Sequence, residues 1–300
     1  MIKAAFFDID GTLVSFNTHI ISPSTVEAIH ELRQKGVKVF IATGRHPLWI
    51  NNLADLEIDG YISLNGGYCT TVEGEVLYKH PMDPVDIRSL LEYQKKEAFP
   101  VSCVMEDAIL MNFKNESVNK VYNQLNISNP EFGDLESIAD KPIYQLIAFF
   151  TADQERRIME HLPHSEATRW NPYFADVVPK GSNKAVGIDH IIQHYRIKIE
   201  ETMAFGDGGN DIAMLEHAGI GVAMGNGEDE LKDQATHVTD TNNQNGIAKA
   251  LSHYGLIHFE TENSFTSDDD NFNKVKDFHH LMDGSTTDMP RVYGIEEASH

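Results

Sequence analysis

The sequence predicts an α/β protein: a parallel-sheet core interrupted by an inserted α+β domain. Three observations carry this. Short apolar runs end at Asp-Gly, Thr-Gly or Asn-Gly turns, and segments with helical apolar spacing separate them. This pattern lapses in the middle of the chain and then returns. Strands alternating with helices imply βαβ units, whose strands pair in parallel.

The elements follow in order. Ile2 to Ile9 is apolar, rich in Phe and Ile, and stops at Asp10-Gly11, which reads as a buried strand ending in a turn. Ser22-Pro23 is a helix N-cap with proline at the first helical position. Val26, Ile29 and Leu32 follow at helical spacing, and Gly36 closes the helix. Val37 to Ala42 is a second buried strand, ending at Thr43-Gly44-Arg45. Tyr61 to Leu64 is a third, ending at Asn65-Gly66-Gly67.

From 82 to 178 polar and apolar residues mix. Strands are expected at Pro100 to Met105, Ala108 to Asn112 and Tyr144 to Phe150, and helices at Val85 to Lys96, Glu116 to Leu125 and Gln154 to Leu162. This is the inserted domain. The parallel pattern resumes with a helix from Asn183 to Tyr195 and a strand from Thr202 to Gly206, ending at Asp207. A helix from Asp211 to Ala218, a strand from Ile220 to Met224, a strand at Val238 and a helix from Gly246 to Tyr254 complete it. The core is thus 1–81 with 179–258. Residues 259–300 turn polar and acidic and read as a flexible tail.

Composition narrows the function. The formal charge of −22 repels phosphate backbones and anionic lipid, which argues against nucleic-acid or membrane-surface partners. Any site for an anionic substrate must therefore supply its own cation or focused donors. Two cysteines, Cys69 and Cys103, make no disulfide framework, and no apolar stretch reads as a signal or a membrane span; a cytoplasmic setting is expected.

Four motifs carry chemistry. Asp8-Ile9-Asp10-Gly11-Thr12 ends the first strand, at the edge where open α/β sheets bind ligands. Carboxyl groups two positions apart on an extended chain face one side, so one can act as nucleophile and the other as proton donor and acceptor. Gly206-Asp207-Gly208-Gly209-Asn210-Asp211 follows another strand, and its clustered oxygens suit Mg²⁺. Asp211 there is a helix cap or a support for the metal shell. The hydroxyl and backbone N–H groups of Thr43-Gly44-Arg45 can hold phosphate oxygens. Lys180 or Lys184 can neutralise phosphate charge and separate crowded carboxylates. Each motif alone reads as well as an ordinary turn, cap or surface lysine. All four at strand ends of one sheet, in this order, favour a phosphoryl-transfer site.

With these motifs the chain resembles the haloacid dehalogenase superfamily, in its Cof-type branch with a type IIB cap. The likeness rests on Asp8 to Leu13, Ile41 to Arg45, Ser63 to Gly67, Asn183-Lys184, Ala204 to Asp211 and Gly219 to Asn226. The resemblance implies a Rossmann-like core, with the insertion as a cap over the leaving group. It implies Asp8 as nucleophile and metal ligand, and Asp10 as acid and base whose carbonyl binds Mg²⁺. Asp207 completes the metal site. Thr43, Gly44, Lys184 and Asn210 hold the phosphate, and Asp211, Arg45 and Asn65 support the site. The substrate is then a small phosphorylated metabolite, such as a sugar phosphate. A phosphomutase of the phosphomannomutase type is the alternative, and a non-catalytic binding protein a further one. Tyr68, Arg169, Trp170 and Tyr173 are candidate readers of the leaving group.

Overall fold

The structure, a computed structural model, describes residues 1–50, 52–53, 55–125 and 130–259. The expected tail lies outside the described residues beyond Phe259. Among the described residues there are fourteen strands and eight α-helices. The first stretch runs β1 (Ala4–Phe7), α1 (Pro23–Gln34), β2 (Lys38–Ala42), β3 (Gly60–Ser63), β4 (Tyr68–Thr71), β5 (Val76–Lys79). Then come α2 (Pro84–Gln94), β6 (Val101–Val104), β7 (Ile109–Met111), α3 (Glu116–Leu125), β8 (Glu131–Phe132), β9 (Gln145–Ala148), α4 (Ala152–Met159), β10 (Ser165–Asn171) and β11 (Phe174–Pro179). The last stretch is α5 (Lys184–Tyr195), β12 (Thr202–Gly206), α6 (Ile212–His217), β13 (Ile220–Ala223), α7 (Asp229–Gln234), β14 (His237–Val238) and α8 (Gly246–His253).

The first sheet has the order β14-β13-β12-β1-β2-β3-β4-β5. Its first six strands pair in parallel, as expected. The edge hairpin β4–β5 pairs antiparallel and was not anticipated from sequence. Strand β4, Tyr-Cys-Thr-Thr, is mostly buried but half polar, and β5, Val-Leu-Tyr-Lys, is a short, partly exposed edge strand. Both faces of the sheet are covered. Phe7 stacks on Phe205 at 4.7 Å beneath α1 and α8, whereas Phe6 stacks on Phe40 at 5.1 Å on the side of α5 and α6.

Register decides where the chemistry lies. Phe7 of β1 pairs with Ile41 of β2 on one side and with Phe205 of β12 on the other. The chain therefore delivers Asp8, Thr43 and Asp207 to the same carboxyl edge within a residue or two of one another. Strand order reverses at β1, whose neighbours come from opposite ends of the sequence; such a switch point opens a crevice for ligands.

The second sheet, order β10-β11-β9-β6-β7-β8, is antiparallel apart from the β7–β8 pair. Alternation assigns its faces. Leu146, Ala148, Ala175 and Val177 pack on α2 and α4. Ile147 and Phe174 pack on the other face with α3, against Trp49 and Leu64 of the first sheet's connections and Tyr68 of β4. Strands β10 and β11 were not expected from sequence: β10 is a polar edge strand, and Asp176 interrupts the apolar run of β11. No helix among the described residues is long and apolar enough to cross a membrane, and both cysteines are free and buried.

Candidate active site

Asp8 lies one residue past β1, only 6% exposed. Its backbone N–H donates to Phe205 O, which fixes the strand end. Lys184 opens α5, whose N-cap Asn183 accepts from Val186 N–H. The Lys184 ammonium is completely buried, at 2.6 Å from Asp8 Oδ1 and 2.6 Å from Asp211 Oδ1. The structure thus separates the two lysines considered from sequence: Lys180 is exposed. Burial raises the Asp8 carboxyl well above the ordinary range. The charges of Asp211 and Asp10 add to the rise, and Lys184 opposes it.

Asp207 follows β12 and is raised likewise, by burial and then by Asp8 and Asp211. Thr12 Oγ1 donates to its Oδ1 at 2.9 Å, and Asn226 Nδ2 lies 3.3 Å from its Oδ2. Asn226 also donates to Gly11 O at 2.8 Å, tying the first loop to the loop that carries Asp207; sequence reasoning did not place it in the site. Its signals were its place in the Gly225-Asn226-Gly227 turn after β13 and at the end of the Gly219 to Asn226 likeness, which gave it no role. Asp211 makes no cap bond to α6. Its Oδ2 accepts from the N–H groups of Asp207 and Gly208, each at 3.0 Å, so it shapes the loop that carries Asp207.

Asp8, Asp207 and Asp211 bring a carboxylate oxygen each within 4.8 Å of one another. This all-oxygen donor set suits a hard divalent cation. The carboxylate of Asp10 is not part of it. Strand β1 ends at Phe7, so the two-residue alternation expected to align Asp8 and Asp10 does not reach them. Asp10 instead lies in the turn and meets the guanidinium of Arg45 with both oxygens, at 2.5 and 2.7 Å. Arg45 is itself held by Trp49 O at 3.0 Å and Asn52 Oδ1 at 3.3 Å. All the same, Asp8, Asp10, Thr43, Gly44, Arg45, Asp207, Asn210, Asp211 and Asn226 line one cavity of about 190 Å³.

Thr43 is buried, and its hydroxyl oxygen accepts from Arg45 N–H at 3.1 Å. Asn210 donates through Nδ2 to Asn65 Oδ1 at 2.9 Å. Asn65 in turn donates to Gln145 Oε1 at 3.2 Å and Asp176 Oδ2 at 3.1 Å, both in the second sheet. Leu64 and Asn65 both adopt positive φ, 52° and 51°, in the turn that aims this amide.

Of the expected leaving-group readers, three are occupied elsewhere. Tyr68 donates to Glu106 Oε1 at 2.9 Å. Arg169 binds Glu155 and the carbonyls of Phe150 and Phe174, and Tyr173 sits exposed beside Lys120. The side chain of Trp170 lies outside the described residues.

A family model for haloacid dehalogenase-like hydrolases matches residues 5–251. The HAD subclass IIB sugar phosphatase BT4131, a solved structure, is 45% identical, with a TM-score of 0.81 over 85% of this chain and 100% of that one. YkrA of Bacillus subtilis is 37% identical over 85% of this chain and 98% of its own. The 5-amino-6-(5-phospho-D-ribitylamino)uracil phosphatase YcsE of the same organism is 32% identical over 85% of this chain and 96% of its own.

Proposed function

Since the chain belongs to the haloacid dehalogenase-like hydrolases, as a Cof-type phosphatase, we propose that it hydrolyses small phosphomonoesters, sugar phosphates foremost, through a phosphoaspartate on Asp8 with Mg²⁺ as cofactor. The observation that carries this is the buried Lys184 ammonium on the Asp8 carboxylate, with Asp207 close enough to share a cation. The sugar phosphatase likeness supports the substrate class.

A carboxylate approaching a phosphate dianion meets like-charge repulsion. Lys184 offsets part of it, and donors from Thr43 and Gly44 hold the phosphoryl oxygens, whose charge is spread in the transition state. Mg²⁺, when bound by Asp8, Asp207 and the main-chain carbonyl of Asp10, supplies the remaining neutralisation. Asp8 attacks phosphorus, the bond to the leaving oxygen breaks, and Asp10 gives that oxygen its proton. Water then attacks the phosphoaspartate, Asp10 takes the water's proton, and inorganic phosphate departs with Asp8 restored. Both oxygens of Asp10 lie on Arg45 here, so Asp10 must turn from Arg45 toward the leaving oxygen at some point in the cycle. The insertion 82–178 serves as the cap that excludes bulk water while the core, 1–81 with 179–258, does the chemistry.

The test is phosphate release from a panel of sugar and nucleotide monophosphates, with Mg²⁺ or with EDTA, for wild type and Asp8→Asn. Asp8→Asn should keep the fold and lose turnover altogether; normal turnover in it would refute the nucleophile assignment. Formation of an isomeric sugar phosphate in place of inorganic phosphate would move the reading to a phosphomutase.

A further inference from the structure

The chain crosses from the first sheet into the insertion after β5 and returns before α5, and the two crossings meet. His80 is the first residue past β5. Its Nδ1 lies 2.8 Å from Ser182 Oγ, a hydrogen bond between the outgoing and the returning crossing. His80 is half-buried and Ser182 is buried. The returning crossing is a tight turn. Ser182 N–H donates to Pro179 O at 3.0 Å, and Gly181 has φ +80°, the left-handed third residue of a type II turn. The first half of this turn is bonded to the insertion: Lys180 N–H donates to His164 O at 2.9 Å, and Gly181 N–H to Glu166 Oε1 at 3.1 Å. At Ser182 the bonding passes to the core.

Lys184 stands two residues further on, and the place of its ammonium between Asp8 and Asp211 follows from where α5 begins. Gly66 lies directly against that beginning. A Cβ built on it would be 1.9 Å from Asn183 O and 3.2 Å from Lys184 N. Gly66 belongs to the turn that carries Asn65, whose amide oxygen receives Asn210. His80 holds this turn as well, because its N–H donates to Gly67 O at 2.9 Å. His80 thus takes the Asn65 turn with its backbone and the Lys184 crossing with its side chain, while turn and crossing rest on each other. Further along the helix, Tyr78 of β5 stacks on His190 at 3.8 Å with the rings 15° apart. Strand β5 and its exit therefore hold α5 beside its start and again near its middle.

We infer that His80 is a positioning residue for the reaction: its bond to Ser182 holds the start of α5 against the Asn65 turn and so keeps the Lys184 ammonium in place. This rests on the phosphatase reading and adds to it a residue outside the catalytic cavity. The need for it lies in the burial of Lys184. An ammonium without solvent access offsets charge only where its partners stand, and no water fills the gap if it shifts. A misplacement of about 1 Å that originates far from the chemistry can cost about a hundredfold in rate. The bond also stands between the insertion and Lys184. Movements of the insertion reach the turn through His164 and Glu166, and the bond to His80 stops them there.

The experiment measures kcat and KM on the sugar phosphate that wild type hydrolyses fastest, with saturating Mg²⁺ and well below the thermal midpoint, together with the midpoint itself. The proteins are wild type, Ser182→Ala, His80→Ala, the double variant and His80→Asn, whose amide can stand near the place of Nδ1 and keep the bond. Ser182→Ala and His80→Ala should each lower kcat about tenfold, with KM changed much less. The double variant should lose no more than either single one, since the two residues share one bond. His80→Asn should recover most of kcat. An unchanged kcat in Ser182→Ala and His80→Ala, whatever the midpoint does, would overturn the inference and leave His80 as a stabilising contact only. Losses that multiply in the double variant, or a kcat no better in His80→Asn than in His80→Ala, would overturn it too. Wild type inert toward every sugar phosphate tried would mean instead that the phosphatase reading itself had failed.

Discussion

Lys184 is the residue on which the site's electrostatics turn. Two carboxylates, Asp8 and Asp211, lie 2.6 Å from one ammonium with no solvent access to it. Removing one member of such a buried group leaves charge uncompensated, at a cost of about 3–5 kcal/mol. Lys184→Met should therefore lower the thermal midpoint sharply as well as abolish turnover; an unchanged midpoint would mean that the carboxylates are protonated in its absence. Asp8 and Asp207 bear on metal affinity. Burial and mutual repulsion raise both in the metal-free protein, so they hold protons at pH values where ordinary carboxyls have lost them. A cation must displace those protons. Mg²⁺ affinity should rise with pH through neutrality, and calorimetric titrations in buffers of different ionisation enthalpy should reveal proton release. Binding with no proton release at neutral pH would show that both groups are already ionised in the free enzyme.

At the scale of elements, the loops after the strands matter more than the strands. Gly11 has φ +86°, and a Cβ there would lie 2.0 Å from Asp207 Oδ2. Gly11→Ala should cost about 1–2 kcal/mol for the left-handed backbone alone. It should also push Asp207 from its place, weakening Mg²⁺ binding more than it weakens the fold, which parallel melting curves with and without Mg²⁺ would reveal. Loss of stability with metal affinity intact would show the loop yielding in another direction. Much of this layer was legible in the sequence. Ser22 caps α1 by accepting from Thr25 N–H, as Ser22-Pro23 suggested, and β12 runs from Thr202 to Gly206 as read. Asp8, Thr43, Lys184 and Asp207 were found because each follows or opens an element with a clear apolar pattern. Among the strands that were missed, β5, β8 and β10 lie at sheet edges, where half-exposed residues erase the period; β4 is half polar, and Asp176 interrupts the apolar run of β11. Gln145 and Asp176 were missed for another reason. Their place beside the site comes from Asn65, which lies 80 and 111 positions away in the chain, and no local pattern records such a meeting.

For the molecule as a whole, the two sheets are joined by buried polar bonds, and one of them depends on pH. His46 follows Thr43-Gly44-Arg45 and is 2% exposed. Its Nδ1 lies 3.0 Å from the N–H of Leu48, a donor, and its Nε2 lies 2.9 Å from the carbonyl of Met105, an acceptor at the end of β6. Only the neutral ring protonated on Nε2 satisfies both. A second proton on Nδ1 would face the Leu48 N–H and break the bond that caps the turn at Pro47. Burial accordingly lowers the His46 pKa below its usual 6.5, against the opposing pull of the Met105 and Glu106 backbone and the charge of Asp107. The sign follows from linkage. As pH falls through about 6.5, the unfolded chain takes up a proton at this position that the folded chain refuses, so stability falls with pH. His46→Gln keeps an amide donor for Met105 and cannot titrate. The carboxylates of the catalytic edge titrate in both proteins and cancel in the comparison. Wild type should therefore lose stability relative to His46→Gln as pH drops from about 7.5 to 5.5, read as a widening gap between their denaturant midpoints. A gap that stays constant across that range would mean that His46 accepts its second proton within the folded structure, and that the junction between the sheets tolerates the charge.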